Sequence, residues 1–415
     1  MRIRFVTLHC CAVLLLLLPC AFKAQPTTTS LVIEQYMDRL GMNAQGVPLA
    51  SSLAIPPLQH IELRSKSDQF QLKNQSLELR FSLYNRKERR AIRHILTSLN
   101  DEERAFETGK MNEWLKTIYE YLIDWNIYSK ELGLLQKELL VLEDKKAVIY
   151  KMLAGGEMHN LSEWMKLNNQ ISTLKFKILT LQDKINQRKA FLNENGISGR
   201  EIQFEDWITI EQIQEKLSTL DSPIHNEFPK SKLTAMELNT SLAQLELQRA
   251  SSSKWIDFLQ FSYSGYGEND LQKAVTVGVG IRLPFGMDEK IKSHELALKH
   301  KRQQIESEDY AIKVKEIIRQ SRTTLDELFK GYQYEIEEDK EGSMTKILKQ
   351  YQSNSAVSPL LLLDIELQIL DEKRRLLEYD YDIHKAYIQY LYWTGRLVRA
   401  PIKNYLSSFW FELDF

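Results

Sequence analysis

The stretch "KAVTVGVGIRLPF", Lys273 to Phe285, constrains this chain more than any other. Its odd positions are Val275, Val277, Val279, Ile281, Leu283 and Phe285, all apolar, and its even positions include Ala274, Thr276, Gly278, Gly280, Arg282 and Pro284. Only an extended strand uses a period of two, because successive side chains then point to opposite faces. The sequence around it reads as long, charged helix. A preceding run, "WIDFLQFSYSGY" (Trp255 to Tyr266), alternates at Leu259, Phe261 and Tyr263, although Ile256 and Phe258 break the pattern at its start. "GENDLQ" between them is a polar turn, so the two runs predict a β-hairpin.

The first residues bear on where that hairpin sits. Arg2 and Arg4 precede an apolar run from Ala12 to Leu18, and small residues follow as far as Ala24. This is the layout of a secretory signal peptide over 1–24, cut before Gln25. Pro19 argues against lipidation at Cys20. All three cysteines (Cys10, Cys11 and Cys20) fall in this segment, so the exported chain is expected to carry no disulfide or thiolate metal site. With 55 basic and 56 acidic residues, the charge balance does not advertise nucleic-acid binding. No later apolar run reaches the roughly 18 residues of a spanning helix. An exported chain of this kind can enter a membrane only as strands of a closed barrel, in which lipid-facing and lumen-facing residues alternate.

Helical seams fill most of the remainder. From Met111 the apolar residues fall at Leu115, Ile118, Leu122, Trp125, Leu132, Leu139 and Leu142, and a cleaner seam runs through Ile171, Leu174, Ile178, Leu181, Ile185 and Leu192. Steps of three and four are those of helices packed in a left-handed coil. "LAGGEMHNLS" (Leu153 to Ser162) lies between the seams, so two long helices are expected to fold back at Gly155 and Gly156. The layout then recurs. "LRFSLYNRKERRAIRHIL" from Leu79 matches "IRLPFGMDEKIKSHELAL" from Ile281, with Arg80 and Arg282 in equivalent places 202 residues apart. The segments from Met158 and Asn354 match in pattern about 196 residues apart, and the chain reads as an internal duplication.

Over Pro229 to Leu397 the residues resemble the TolC-like outer-membrane efflux proteins. A helix rich in small residues ("LTAMELNTSLAQLELQRASSS") precedes the hairpin, and "IRLPFG" is similar to the family's turn into its long helix. "VSPLLLLDIELQILDEKRRLLEYDYDIHKAYIQYLYWTGRL" resembles its returning helix, down to Thr394 and Gly395. The resemblance implies a mainly α fold with membrane β: an α-barrel of coiled-coil helices below a β-barrel of twelve strands, four from each chain of a homotrimer. It implies an outer-membrane channel for efflux or export, a periplasmic adaptor and an inner-membrane transporter as partners, outer-membrane lipid around the strands, and no cofactor, metal or catalytic residue. Val275, Val277, Val279, Ile281 and Leu283 would then face lipid, and Thr276, Gly278, Gly280 and Arg282 the lumen. Gly155, Gly156, Asn354, Ser355, Val357 and Ser358 would lie at the periplasmic tip.

This reading divides the chain into an N-terminal segment and tether at 25–58, a first repeat at 59–200, a connecting equatorial segment at 201–228, a second repeat at 229–397 and a tail at 398–415. The first half departs from the family. Only "SLVIEQYMDRLGM" (Ser30 to Met42) reads as helix before its hairpin, and "VPLASSLAIPPLQ" reads as a tether. The first hairpin, "HIELRSKSDQFQL" and "SLELRFSLY", is also less apolar than the second.

Other chemistry finds little support in the sequence. The histidines lack zinc spacing, and His294 and His300 on a charged helix read as solvated surface. "GVGIRLPFG" lies inside a strand, so it is no nucleotide loop. Glu337 and Glu338 read as a wet helix face. Tyr387, Tyr390, Tyr392 and Trp393 read as packing at a helix end. Phe409, Phe411, Leu413 and Phe415 predict a short final strand against the shaft, with Phe411 and Phe415 buried.

Overall fold

A computed structural model describes residues 27–39, 55–67, 75–155, 161–195, 202–204, 206–220, 228–264, 275–281, 287–342, 344–352 and 358–413. The chain begins with β1 (Thr27–Thr28) and α1 (Thr29–Arg39), then the hairpin β2 (Leu58–Ser67) and β3 (Gln75–Leu83). Helix α2 (Arg86–Ala154) follows, with α3 (Leu161–Glu194) returning along it, and then β4 (Ile202–Gln203) and α4 (Ile210–Thr219). The second half repeats the plan with α5 (Pro229–Ser252), β5 (Ile256–Ser264), β6 (Val275–Ile281), α6 (Met287–Gly342), α7 (Met344–Gln352) and α8 (Pro359–Trp393). The expected helix from Ser30 is present as α1.

Local chemistry sets the helix ends. Asn85 caps α2 by accepting from the Glu88 N–H at 2.7 Å, and the Glu88 carboxylate accepts from the Asn85 N–H at 2.7 Å. This reciprocal box satisfies two donors that the first turn leaves unpaired. With 69 residues and no proline inside, α2 is about 100 Å long. Pro359 opens α8, where its missing N–H costs nothing. Gly395 closes it with φ 68, a left-handed conformation that glycine adopts without strain.

Two apolar clusters hold the helices. The larger lies midway along α2, where Tyr119, Leu122 and Ile123 meet Ile33 and Met37 of α1, Ile213 of α4, Phe228, Ile318 of α6, and Tyr387 and Leu391 of α8. The smaller packs Leu135, Leu142 and Ile149 of α2 against Leu167, Ile171, Leu174, Ile178 and Leu181 of α3. Each such side chain contributes about 1.5–3 kcal/mol on burial. The predicted seam of α3 is buried throughout, and Leu135 and Ile149 add two positions in α2 that were not picked out. Tyr387 and Tyr390 are buried too, with Tyr392 edge-on and Trp393 tilted against Phe228, so this aromatic group packs the end of α8.

The tail corrects its expectation in part. It does fold midway along α2: the Tyr119 hydroxyl donates to the Lys403 carbonyl at 2.8 Å, and the Ile208 N–H to the Leu406 carbonyl at 2.9 Å. Tyr405, Leu406 and Leu413 are buried, but Phe411 is 47% exposed and Phe409 75%. The segment doubles back on itself, with the Asn404 N–H bonded to the Phe411 carbonyl and a positive φ at Trp410, so the period of two is lost. Phe409 and Phe411 rest on one another at the surface. Phe415 lies outside the described residues.

Candidate membrane-facing sheet and helical turns

The two hairpins join into one antiparallel sheet in the order β2–β3–β5–β6. In register, Leu63 lies opposite Leu79, Leu79 opposite Phe261, and Phe261 opposite Val277. Ile61, Phe81, Leu259 and Val279 form the next row, and Ser65, Leu77, Tyr263 and Val275 the row beyond it. Because side chains alternate, these rows share one face. It is apolar and open: Leu63 is 68% exposed, Val277 62% and Ile281 66%. Phe81 and Phe261 meet edge to face on it at 5.8 Å.

The opposite face carries Glu62, Arg64 and Lys66, then Glu78, Arg80 and Ser82, then Gln260 and Ser262, then Thr276, Gly278 and Gly280. Its groups are paired. Arg64 meets Glu62 at 2.8 Å, Lys66 meets Glu78 at 3.3 Å, and Arg80 donates to Gln260 at 2.9 Å while lying 4.5 Å over the Phe258 ring. The predicted residues therefore separate as expected by alternation, with Val275, Val277, Val279 and Ile281 on one face and Thr276, Gly278 and Gly280 on the other. Arg282 and Leu283 lie outside the described residues. The two glycines differ in what surrounds them. At Gly280 an added Cβ would sit 2.4 Å from the Phe258 ring, so the ring needs the space; at Gly278 a Cβ meets only the Gln260 Cβ at 3.8 Å.

The irregular start of β5 has a simple cause. Phe258 pairs with Gly280 and Ile256 with Ile281, so Asp257 is an extra residue, a β-bulge. The bulge returns Ile256 to the apolar side. The first hairpin carries the same device, with His60 opposite Ser82, Leu58 opposite Leu83, and Gln59 extra. Matching the bulges sets Ile256 and Ile281 198 residues after Leu58 and Leu83. The first residues of α3 and α8, Leu161 and Pro359, are also 198 apart. The expected equivalence of Arg80 and Arg282 is thus corrected: Arg80 corresponds to Gly278. The error arose between strand and helix, where two residues join β3 to α2 but five join β6 to α6.

At the far ends of the helices, Gly155 caps α2 and its N–H donates to the carbonyls of Lys151 and Met152, while Ser358 caps α8. Lys145 brings the two turns to one end of the molecule, reaching Asp364 in the first turns of α8 at 2.7 Å and Glu163 in α3 at 3.5 Å. Burial lowers the Lys145 pKa, but the two carboxylates outweigh it and hold it above the ordinary value. Gly156, Asn354, Ser355 and Val357 lie outside the described residues.

One charged site was not anticipated. Asp124, buried at the middle of α2, accepts from Arg188 of α3 at 2.8 Å, Lys385 of α8 at 2.7 Å and the Tyr381 hydroxyl at 3.1 Å. Beside it His384 is fully buried, with Nδ1 2.9 Å from the Asp380 carboxylate and Nε2 3.1 Å from the Ile208 carbonyl. Burial raises the Asp380 pKa, yet His384 and Lys130 outweigh that effect and hold it below its ordinary value. These groups fasten α2, α3, α8 and the residues just before α4 together. Among the described residues, no helix is long and apolar enough to cross a membrane.

Neither a protein-family model nor a curated protein matches the chain. Solved structures do. CusC, studied for the conformational changes that accompany folding and transmembrane channel formation, superposes with a TM-score of 0.64 at 13% identity, over 89% of this chain and 92% of that one. The outer-membrane protein VceC of Vibrio cholerae gives 0.60 at 13% identity, over 88% and 96%. The MtrE outer-membrane channel of Neisseria gonorrhoeae, in its open state, gives 0.59 at 13% identity, over 88% and 84%. A small antiparallel sheet on long helices is common ground at a level where sequence identity has faded. The chain has the fold of the TolC-like outer-membrane channels.

Proposed function

We propose that the protein is the outer-membrane channel of an efflux or export system, passing small molecules or proteins. Three copies would close their sheets into one twelve-stranded barrel that continues into a periplasmic helical tunnel. One observation carries this reading: the sheet leaves its apolar face open while the face behind it pairs its charges. In water, apolar surface left open forgoes about 25 cal/mol per Å² of burial, whereas in lipid the same face is in a matching solvent. The open edges of the sheet point the same way, because unpaired backbone groups in a membrane require barrel closure.

In this reading Val275, Val277, Val279, Ile281 and Leu283 face lipid, and Thr276, Gly278, Gly280 and Arg282 face the lumen. Gly155, Gly156, Asn354, Ser355, Val357 and Ser358 form the periplasmic tip, where the adaptor of an inner-membrane transporter docks. The Lys145 bridge supports a common location for the two turns. The channel works without catalytic residues, a metal or a cofactor. Fractionation with a carbonate wash, followed by conductance in planar bilayers, tests the proposal. Retention in the outer membrane and stepwise conductance are expected. Release by carbonate would sink the reading and favour an exported adaptor-like protein instead.

A further inference from the structure

Three helix ends adjoin the sheet: the start of α2 just after β3, the end of α5 just before β5, and the start of α6 just after β6. Charge near these ends is gathered on one side. Along α5, Ala235, Asn239, Glu246 and Arg249 are exposed at steps of four, seven and three, so the helix is open along one stripe. His94 of α2 meets Glu246 on that side, with Nδ1 3.4 Å from the carboxylate. Lys87 and Arg90 lie seven and four residues before His94, and Arg86 four before Arg90, so all three share its side of α2. Arg249 follows Glu246 by one turn and, with Glu289, Lys290 and His294 of α6, lines a cavity of about 380 Å³.

One side of the three-helix wall thus carries Arg86, Lys87, Arg90, Arg249 and Lys290, all exposed. Against them stand Glu246, which meets His94, and the half-covered Glu289. Among the described residues no carboxylate pairs with any of the five. The whole chain is balanced at 55 basic and 56 acidic residues, so the excess is local. We propose that this basic collar binds the phosphate groups of anionic phospholipids, with the cavity between α5 and α6 as the headgroup pocket. The proposal rests on the membrane-sheet reading above.

Position and charge both select this occupant. The headgroup layer of a bilayer is roughly 5–8 Å deep on each side of the hydrocarbon core. At 1.5 Å per residue, Arg86, Arg90, Arg249 and Lys290 all fall within about 6 Å of a helix end that adjoins the sheet. The open apolar face ends just above them at Ile256 and Ile281, and the exposed Trp255 stands at the junction, where an aromatic ring suits a membrane interface. Glu237, Gln244 and Gln248, about 160–200° around α5 from Glu246, are half-covered by the flanking helices. The middle helix of a curved wall is covered on its concave side and open on its convex one, so the collar faces away from the enclosed space. A zwitterionic lipid brings its own ammonium to the phosphate. An anionic one leaves the charge for guanidinium and ammonium groups, whose stems lie along apolar surface while their heads reach the phosphate.

The test uses the full chain in non-ionic detergent, titrated with dioleoylphosphatidylglycerol, dioleoylphosphatidylcholine or inorganic phosphate, with bound lipid counted by native mass spectrometry. Phosphatidylglycerol is expected to bind about tenfold more tightly than phosphatidylcholine, since each basic side chain near an anionic surface contributes about a fivefold preference. Arg90→Gln, Arg249→Gln and Lys290→Gln together should remove most of that preference. Arg90→Lys with Arg249→Lys, which keeps the charge, should retain it. All three side chains are exposed, so the variants leave the packed core untouched. Equal binding of the two lipids, or a preference unchanged in the triple variant, overturns the proposal. Displacement of phosphatidylglycerol by inorganic phosphate at equal concentration also overturns it, in favour of a site for free phosphate. In each of these cases retention of the unaltered chain in carbonate-washed outer membranes leaves the channel reading standing. Absence of the protein from the outer membrane overturns both.

Discussion

The sheet and the middle of the helical shaft treat apolar side chains in opposite ways. In the sheet, Leu63, Val277 and Ile281 stay open, and the charges of Glu62, Arg64, Lys66, Glu78 and Arg80 find partners on the other face. In the shaft, Tyr119, Tyr387, Leu122 and Ile33 are fully buried, and the charges around Asp124 ring the core. One chain therefore carries two inverted patterns, each consistent with a different solvent around it.

The largest expected effect tests the shaft. Tyr119→Ala removes a fully buried ring and two hydrogen bonds to the tail, and should cost about 3–5 kcal/mol in denaturant unfolding of detergent-extracted protein. A smaller loss would mean that the middle is not a tightly packed core. Next comes the sheet. Val277→Arg should cost about 2–4 kcal/mol and deplete the outer-membrane fraction, whereas Thr276→Arg on the other face should leave insertion intact and lower conductance. Equal tolerance at the two positions would erase the contrast between the faces. Asp124→Asn should then cost about 1.5–3 kcal/mol by thermal unfolding, since Arg188 and Lys385 lose a charged acceptor but keep partial access to water.

The smallest effect is one of pH. Asp380 is held below its ordinary pKa of 3.8, so its contribution is present above that value and is lost as pH falls through the lower folded value. The stability gap between the native protein and Asp380→Asn should therefore close on acidification, as followed by circular dichroism. A gap that instead widened in acid would show that Asp380 is not the ionised partner of His384.

Local periodicity was enough to read β6, the α3 seam and the helical turn at Gly155, because each is written in neighbouring residues. Features that depend on distant partners were not legible. Asp124 looks like any helix carboxylate until Arg188 and Lys385, far along the chain, arrive beside it. Ile256 and Phe258 looked like a fault in a strand because a bulge is visible only against the partner strand. The same dependence displaced the repeat offset, since the longer connection before α6 was absorbed into the comparison. Phe411 was misplaced because its alternation is interrupted by a turn at Trp410 that no breaker residue announces.

The ties between the two ends of the chain have a consequence for timing. Asn404 donates to the hydroxyls of Thr29 and Ser30, partners 375 and 374 residues away. The earliest described helix thus finds this hydrogen-bonding partner only 374 residues later in the chain. Contacts of such long separation close late and slowly. While the chain is still emerging, α1 and the midpoint of α2 are without the tail residues Lys403 to Leu406 that complete them. Until Lys403 and Tyr405 arrive, the Tyr119 hydroxyl lacks both of its tail partners, so the middle of the shaft is the part of the fold that closes late.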